Sequence, residues 1–351
     1  MPKRLLVTPA ALTWEHGRAI VARAEALGIP IERLGANRLT GLRGEDARAT
    51  YVRAKSTLAV VVSPPGARKL QPIPPSADFQ FHLAEGCPAH CQYCYLAGSL
   101  GGPPVTRVFA NLPEILEGLR DFAGRGTITS ASARRANEGT TFEASCYTDP
   151  LGIEHLTGSL AETVRFFGAW EAPSPGVQLR FTTKFDAVES LLALDHRGRT
   201  RVRFSVNARE ITRRFEGGTA SLDERIRALG RVARSGYPVG LTIAPIMPIP
   251  EWERAYDDLI AAVARELAGV SETDLTIECI THRFTPGSKD VLLSWYPSTT
   301  LEMEEAARSQ KRTKFGSLKY VYRTEPMRAM RRAIEASLAA HLPAARLLYW
   351  T

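Results

Sequence analysis

The chain contains no apolar run near the roughly 18 residues that a membrane-spanning helix needs. It has no low-complexity tract and no repeat beyond a strand–helix period. Its first residues, "MPKRLLVTPAALTWEHG", begin basic, but Pro9, Trp14, Glu15 and His16 interrupt the apolar core of a signal peptide. The expectation is a cytoplasmic protein with no membrane partner. Cysteine is scarce, five in 351 residues, and three of the five crowd into "HLAEGCPAHCQYCYLAGSLGG", His82 to Gly102. An odd, clustered set excludes a disulfide framework, and in a reducing compartment such thiols more often hold metal than pair. Acidic residues are the minority charge, 37 against 45 Lys and Arg, for a net +8. That balance favours a polyanionic partner. Arg308 to Arg323 carries six basic residues, three aromatics and no acid. Arg197 to Arg214 carries seven arginines against one glutamate, although part of it reads as strand and as a solvated face.

Residues 1–75 read as a small α/β extension. "RLLVT" and "STLAVVVS" are strand-like, "TWEHGRAIVARAEALG" is an amphipathic helix stopped at Gly28, and the proline-rich "PPGARKLQPIPPS" reads as a linker. From residue 76 strands and helices alternate. The strands are expected at 79–84, 140–145, 177–183, 201–207, 239–246 and 274–280, and the helices at 113–123, 157–168, 186–194, 219–235 and 252–267. This alternation implies a parallel sheet with right-handed crossovers. Six strands are too few for a closed eight-stranded barrel, so a partial (β/α)6 barrel over 76–285 is expected. Residues 286–351 leave the alternation. A helix near 300–309 is expected there, then a β-hairpin turning at Gly316-Ser317, a helix over 325–341 and a short tail.

Parallel α/β proteins gather their chemistry at the carboxyl ends of the strands. In order, those ends carry the cysteine loop, then Cys146 and Thr148, Lys184, Ser205 and Asn207, Ala244 and Pro245, and finally Cys279, His282 and Arg283. Cys87, Cys91 and Cys94 stand in the spacing C-x3-C-x2-C. With His82 or His90 they suit a closed zinc site. Without a fourth ligand they suit three irons of a [4Fe-4S] cubane whose fourth iron stays open to a small chelate, such as an amino acid's amine and carboxylate.

This spacing, with Tyr93 before the last cysteine, resembles that of the radical S-adenosyl-L-methionine (radical SAM) enzymes, whose fold is likewise a partial barrel. The resemblance is closer to one family within them. "GCPAHCQYCYL", "FEASCYTDPLGIEHLTGSL", "LRFTTKFDAVESLLALDHRGRTRVRFSVNAR", "VGLTIAPI", "LTIECITHRFT" and "FGSLKYVYR" are similar to successive blocks of the spore photoproduct lyase family. The resemblance implies that Cys87, Cys91 and Cys94 hold the cluster, and that Thr148, Lys184, Ser205, Asn207 and Ala244 contact S-adenosyl-L-methionine (AdoMet). It implies that Cys146 donates hydrogen and that Tyr93 and Tyr95 hand the radical back. Lys314, Phe315, Lys319 and Tyr322, with His282 and Arg283 at the last strand end, are the implied DNA contacts. The implied reaction uses a 5′-deoxyadenosyl radical to abstract hydrogen from the thymine dimer 5-thyminyl-5,6-dihydrothymine, after which the methylene bridge breaks. The implied partners are damaged double-stranded DNA and an electron donor such as flavodoxin or ferredoxin, with the protein a monomer. Two alternatives stay open: a radical SAM enzyme acting on another lesion or nucleotide, and a non-catalytic zinc module that binds nucleic acid. Bland readings also stay open. Cys146 reads equally as an inert core thiol, Tyr93 and Tyr95 as packing, and His282 and Arg283 as a satisfied pair; Cys279 reads as core. Tyr147 and Phe315 depart from the family pattern, and "WEAPSPG" is an insertion.

Overall fold

The computed structural model describes every residue except Tyr95, Leu100, Ser145, 172–175, 271–273, 313–315 and Ser317. Contacts divide the chain into two compact units. One is Met1–Pro88, Gly101–Thr183 and Ala187–Arg201; the other is Ala89–Leu100, Lys184–Asp186 and Val202–Thr351.

In the first unit, alternating apolar residues build a sheet buried on both faces. The strands Ile31–Arg33, Arg4–Val7, Thr57–Val61 and Thr106–Phe109 run parallel in that order, and Ala84–Glu85 closes the edge antiparallel. Leu5, Val7, Leu58, Val60 and Val108 face the helix Glu15–Ala26 through Ile20, Val21 and Ala24. Leu6 and Ala59 face the other way, onto Ala54 of the helix Ala47–Lys55. Such two-sided burial is what a parallel sheet requires. The helix Glu15–Ala26 is latched onward by His16 Nε2, 2.8 Å from Ser159 Oγ, and by Arg23, which donates to Thr157 O at 2.9 Å.

The expected linker is partly strand: Gln71–Ile73 pairs antiparallel with Ala77–Phe81, and Thr140–Ala144 and Val177–Thr183 follow in parallel. One face of these strands is apolar, with Phe142 packed edge-on to Phe167 and beside Trp170 at 5.7 and 5.8 Å. The other face is polar but buried, so its charges are matched inside the protein. Fully buried Arg180 donates to Ser76 O at 2.7 Å and to Glu138, which Arg135 also contacts.

The second unit repeats this scheme. Most of the strand Thr200–Val206 lies in it, parallel to Val239–Ile246, which is followed by Leu275–Thr281 and Arg346–Trp350. The expected tail is thus a further strand, and Thr351 O accepts from Thr281 N at 2.8 Å. Phe204, Leu241 and Ile277 share one face; Ser205, Thr242 and Glu278 share the other, where Arg203 grips Glu278 bidentately at 2.7 and 2.9 Å. The arginine-rich run is divided: Arg201 and Arg203 are buried, while Arg197, Arg209, Arg213 and Arg214 are exposed, with Arg209 and Arg214 paired to Asp223 and Glu210. The helices Leu222–Arg234, Trp252–Leu267 and Thr324–His341 match expectation closely. Over 186–194 only Glu189–Leu192 is helical, and the helix expected at 300–309 is reduced to a 3-10 turn at Glu305–Ala307. Pro286–Trp295 is helical instead, and Arg308–Arg312 is a strand paired with Leu318–Tyr322. No helix among the described residues is long and apolar enough to cross a membrane.

Asp78 anchors the polar face of the first unit. Its carboxylate accepts from Ile128 N at 2.7 Å, Thr129 N at 2.9 Å, Thr129 Oγ1 at 2.6 Å, Ser130 Oγ at 2.8 Å and Thr141 N at 3.0 Å. Burial alone would raise its pKa; hydrogen bonds from Thr129, Thr141, Ile128 and Ser130 outweigh that and hold it at about 2. The folded pKa lies below the unfolded one, so this group's contribution is present above pH ~4 and fades as pH falls toward 2. It amounts to roughly 2 kcal/mol. Asp78→Asn, with one oxygen left to accept, is expected to lower unfolding stability by on the order of 3 kcal/mol at neutral pH. It should also flatten the acid limb of a urea-denaturation series. An unchanged acid limb would assign the acid sensitivity to other groups.

Candidate active site

The cysteine loop leaves the strand Ala84–Glu85 through Gly86, whose φ of +78° belongs to glycine. A Cβ there would stand 2.3 Å from Val105 O. Lys55 Nζ donates to Cys87 O. Further along, His90–Cys91 forms a two-residue ladder with Glu216–Gly217, in which Cys91 is opposite Glu216, and Gln92 N donates to Phe215 O at 2.8 Å. Gly218, at φ +68°, lets the ring of His90 lie where a Cβ would be 2.6 Å away. Cys91 is buried, Cys87 and Cys94 half-buried, and none of the three is in a disulfide.

The second unit brings Tyr93, Lys184 and Ser205 together, and it adds two residues that the sequence reading missed, Glu216 and Arg225. Lys184 Nζ donates to Ser205 Oγ at 2.7 Å and to Glu216 Oε1 at 3.0 Å, and stands 5.5 Å from the centre of the Tyr93 ring. Tyr93 O–H donates to the same Oε1. Arg225 lies 2.5 Å from Glu216 Oε2 and donates to Ser205 O, Ala220 O and Thr219 Oγ1. The Glu216 and Arg225 side chains are fully buried. Burial pushes the Glu216 carboxyl up, but Lys184 and Arg225 overcome it and keep the group ionised below the ordinary range. Burial, then the Glu216 charge, pushes the Tyr93 phenol well above its ordinary value, so it remains a donor. A glutamate following "RRF" carries no local signature.

Asn207 is fully buried, and its amide ends are engaged. Its Nδ2 donates to Pro245 O at 2.7 Å, and its Oδ1 accepts from Ala208 N and Tyr256 O–H, both at 2.9 Å. The Tyr256 oxygen also accepts from Met247 N at 2.9 Å. These bonds hold the irregularity between Ile243 and Ile246 where Ala244 sits, a strand bulge of the kind found beside active sites.

In the first unit Cys146 and Thr148 follow the strand Thr140–Ala144. Cys146 is half-buried; Thr148 Oγ1 is buried with no partner among the described residues. A buried hydroxyl left unpaired fits a ligand contact. Tyr147 stacks on His82 at 4.7 Å, and burial holds the His82 pKa at about 4.

At the last strand end, His282 is buried and neutral, with its pKa held at about 3 by burial and then by Arg308. Its Nδ1 accepts from Arg308 at 3.2 Å and its carbonyl at 3.0 Å. Arg308 also covers the Tyr322 ring at 3.6 Å. Both residues thus sit at the base of the hairpin. The described register ends at Arg312 opposite Leu318, and the turn expected at Gly316-Ser317 lies outside the described residues. Lys314 and Phe315, like Tyr95, lie outside the described residues. Lys319 stands directly opposite Lys311, and burial, then the Arg283 and Lys311 charges, lowers its pKa.

Among the described residues no three His, Cys, Asp or Glu side chains surround one point as a single ion requires. A four-iron cubane asks instead for one thiolate per iron on three irons, a different demand from that of a single ion.

Polar side chains at the carboxyl ends of parallel strands are the arrangement in which α/β enzymes bind their ligands. The family model for spore photoproduct lyase matches residues 1–351. A spore photoproduct lyase of Geobacillus sp. (strain Y412MC61) is 39% identical over 352 residues, covering 100% of this chain and 99% of its own length. That of Bacillus subtilis (strain 168) is 36% identical over 352 residues, covering 100% and 98%. A solved spore photoproduct lyase complexed with dinucleoside spore photoproduct superposes with a TM-score of 0.90 at 38% identity, covering 100% of this chain and 99% of that one. A substituted form with bound AdoMet and the same dinucleoside gives 0.90 at 38% identity, with the same coverage. The chain belongs to the spore photoproduct lyase family; it is a lyase, and its fold class is the α/β partial barrel that the strand alternation implied.

Tyr256→Phe removes a hydroxyl that serves Asn207 and Met247 at once, and is expected to lower stability by about 1–3 kcal/mol. Denaturant titration checks this as a lower midpoint at unchanged slope. A midpoint equal to that of the unaltered protein would show that water takes over both bonds.

Proposed function

We propose that this chain is a DNA repair lyase that returns the thymine dimer 5-thyminyl-5,6-dihydrothymine to two thymines by radical SAM chemistry. The observation that carries this reading is the tie between the cysteine loop and the cationic strand ends. Glu216 pairs through its backbone with Cys91, while its carboxylate holds Lys184 and Tyr93. Cys87, Cys91 and Cys94 would hold a [4Fe-4S] cluster. Thr148, Lys184 and Ser205 would contact AdoMet, with Asn207 and Ala244 shaping the strand-end bulge beside it. When bound, cluster and AdoMet supply a source of the 5′-deoxyadenosyl radical, which draws one hydrogen atom from the lesion.

Lys184, half-buried and held by Glu216, offers an ammonium to the carboxylate end of an amino-acid ligand. Cys146 would give its thiol hydrogen to the thymine radical left when the methylene bridge breaks, and Tyr95 and Tyr93 would relay a hydrogen from 5′-deoxyadenosine to the thiyl sulfur, which returns the deoxyadenosyl radical for recovery of AdoMet. Lys319, Lys311 and Arg283 would grip phosphate, while His282 and Tyr322 support the hairpin from below. Lys314 and Phe315 are retained as contacts on sequence alone. An aromatic wedge there suits the extrusion of both bases, which a dimer inside the stack requires. A cytoplasmic monomer reduced by flavodoxin or ferredoxin completes the reading. The test is anaerobic turnover of a synthetic spore-photoproduct dinucleotide with AdoMet and a chemical reductant. Two thymidine units per lesion are expected; AdoMet cleavage without them would overturn the assignment.

Cys146→Ala is expected to load the cluster and open the dimer but to divert the product radical to external reductant, giving thymine adducts by mass spectrometry. A thiol that only packs would instead cost about 1 kcal/mol of stability and leave the product unchanged.

Lys311→Ala and Lys319→Ala are each expected to weaken binding to damaged and undamaged duplex alike. Each should lower the slope of log affinity against log salt by about one. Unaltered slopes would remove the hairpin arms from the DNA interface.

A further inference from the structure

We propose that Glu216 is a positioning residue that couples AdoMet binding to the return of hydrogen, by fixing Lys184 and Tyr93 on one buried carboxylate oxygen. The inference rests on the reading above, in which Lys184 contacts AdoMet and Tyr93 serves the radical's return. Lysine ends in a flexible four-carbon stem whose ammonium otherwise ranges over many rotamers. Glu216 Oε1 at 3.0 Å and Ser205 Oγ at 2.7 Å select one of them. The Tyr93 O–H, directed at the same oxygen, fixes where its phenol points.

The carboxylate is itself fixed from two sides. Its backbone is laddered to Cys91, and its Oε2 faces Arg225. Arg225 is immobilised by Ser205 O, Ala220 O and Thr219 Oγ1 at 2.8–3.0 Å, on a helix opened by the Ser221–Glu224 capping box. A buried ion pair serving stability alone would need Glu216 and Arg225 only. Convergence of a strand-end lysine and a cysteine-loop tyrosine on the opposite oxygen is what calls for a function. Because Arg225 keeps three neutral acceptors, Glu216→Gln leaves it partnered and is compatible with folding.

The experiment uses the full chain, anaerobically reconstituted, with three readouts: iron and sulfide content, AdoMet affinity by equilibrium dialysis, and deoxyadenosine released per dinucleotide repaired. Glu216→Gln is expected to keep its cluster and bind AdoMet about tenfold more weakly, the scale of one charged hydrogen bond. It should also release several-fold more deoxyadenosine per repair. Its affinity loss and that of Lys184→Met should combine less than additively, as for groups acting through one contact. Tyr93→Phe should raise the deoxyadenosine ratio while holding affinity within about twofold. AdoMet affinity and ratio both at wild-type values in Glu216→Gln would overturn the proposal. Should that variant fail to fold by circular dichroism, Glu216→Asp keeps the charge toward Arg225 but withdraws the shared oxygen. It is expected to show the same two changes, and wild-type values would overturn the proposal equally. A wild-type protein that yields no thymidine overturns the lyase reading instead, and the affinity measurements then decide the role of Glu216 alone.

Discussion

A buried charge must be matched where it lies, because no water is available to solvate it. The strands that carry the site keep an apolar row toward the helices and a polar row on the opposite face. That polar row is buried, and its arginines are satisfied pairwise: Arg180 with Glu138, Arg203 with Glu278. The pair Arg225 and Glu216 stands at the strand ends under the same constraint. There the acceptor serves two further donors, so charge compensation passes into site geometry. Removing one partner of such a pair destabilises far more than replacing both, by roughly 3–5 kcal/mol. The polar row is therefore stiff, a useful property beneath groups that must hold a ligand in one pose.

Much of the architecture was legible in the chain. Strands such as "VQLRFTT" and "VGLTIAPI" announce themselves by β-branched and aromatic content between turn residues, and the helix Trp252–Leu267 by its period. The strand-end ring was legible because parallel sheets expose the same end of every strand. What escaped depends on partners distant in sequence. The residues 300–309 look helical in isolation, but only Glu305–Ala307 makes a 3-10 turn, because Arg308 is drawn to His282 and opens the strand Arg308–Arg312. The terminal "RLLYW" lacked flanking signals and became a strand because Leu275–Thr281 offers it an edge.

The site was legible in part for the same reason. Cysteine spacing is local and rare, so the loop stood out. Glu216 is an isolated acid whose importance arises from Lys184, 32 positions upstream, and from a two-residue ladder to Cys91. His282 shows the converse: a histidine at a strand end suggests a ligand contact, yet Arg308 and burial turn it into a neutral support. The Tyr147 departure likewise has a local partner, stacking on His82.

The cross-strand lysines carry a consequence for how the free hairpin is stabilised. Like charges set directly opposite each other in a ladder repel, so Lys311 facing Lys319 makes this ladder locally frustrated when no polyanion lies across it. Natural sequences generally avoid such conflicts, and retain them where another requirement outweighs foldability. On the proposed role of these lysines in gripping phosphate, a substitution that relieves the repulsion would make the isolated protein sturdier at the expense of its hold on nucleic acid. Selection for thermal resistance alone would therefore erode this hairpin first, a stability–activity conflict written into two facing side chains.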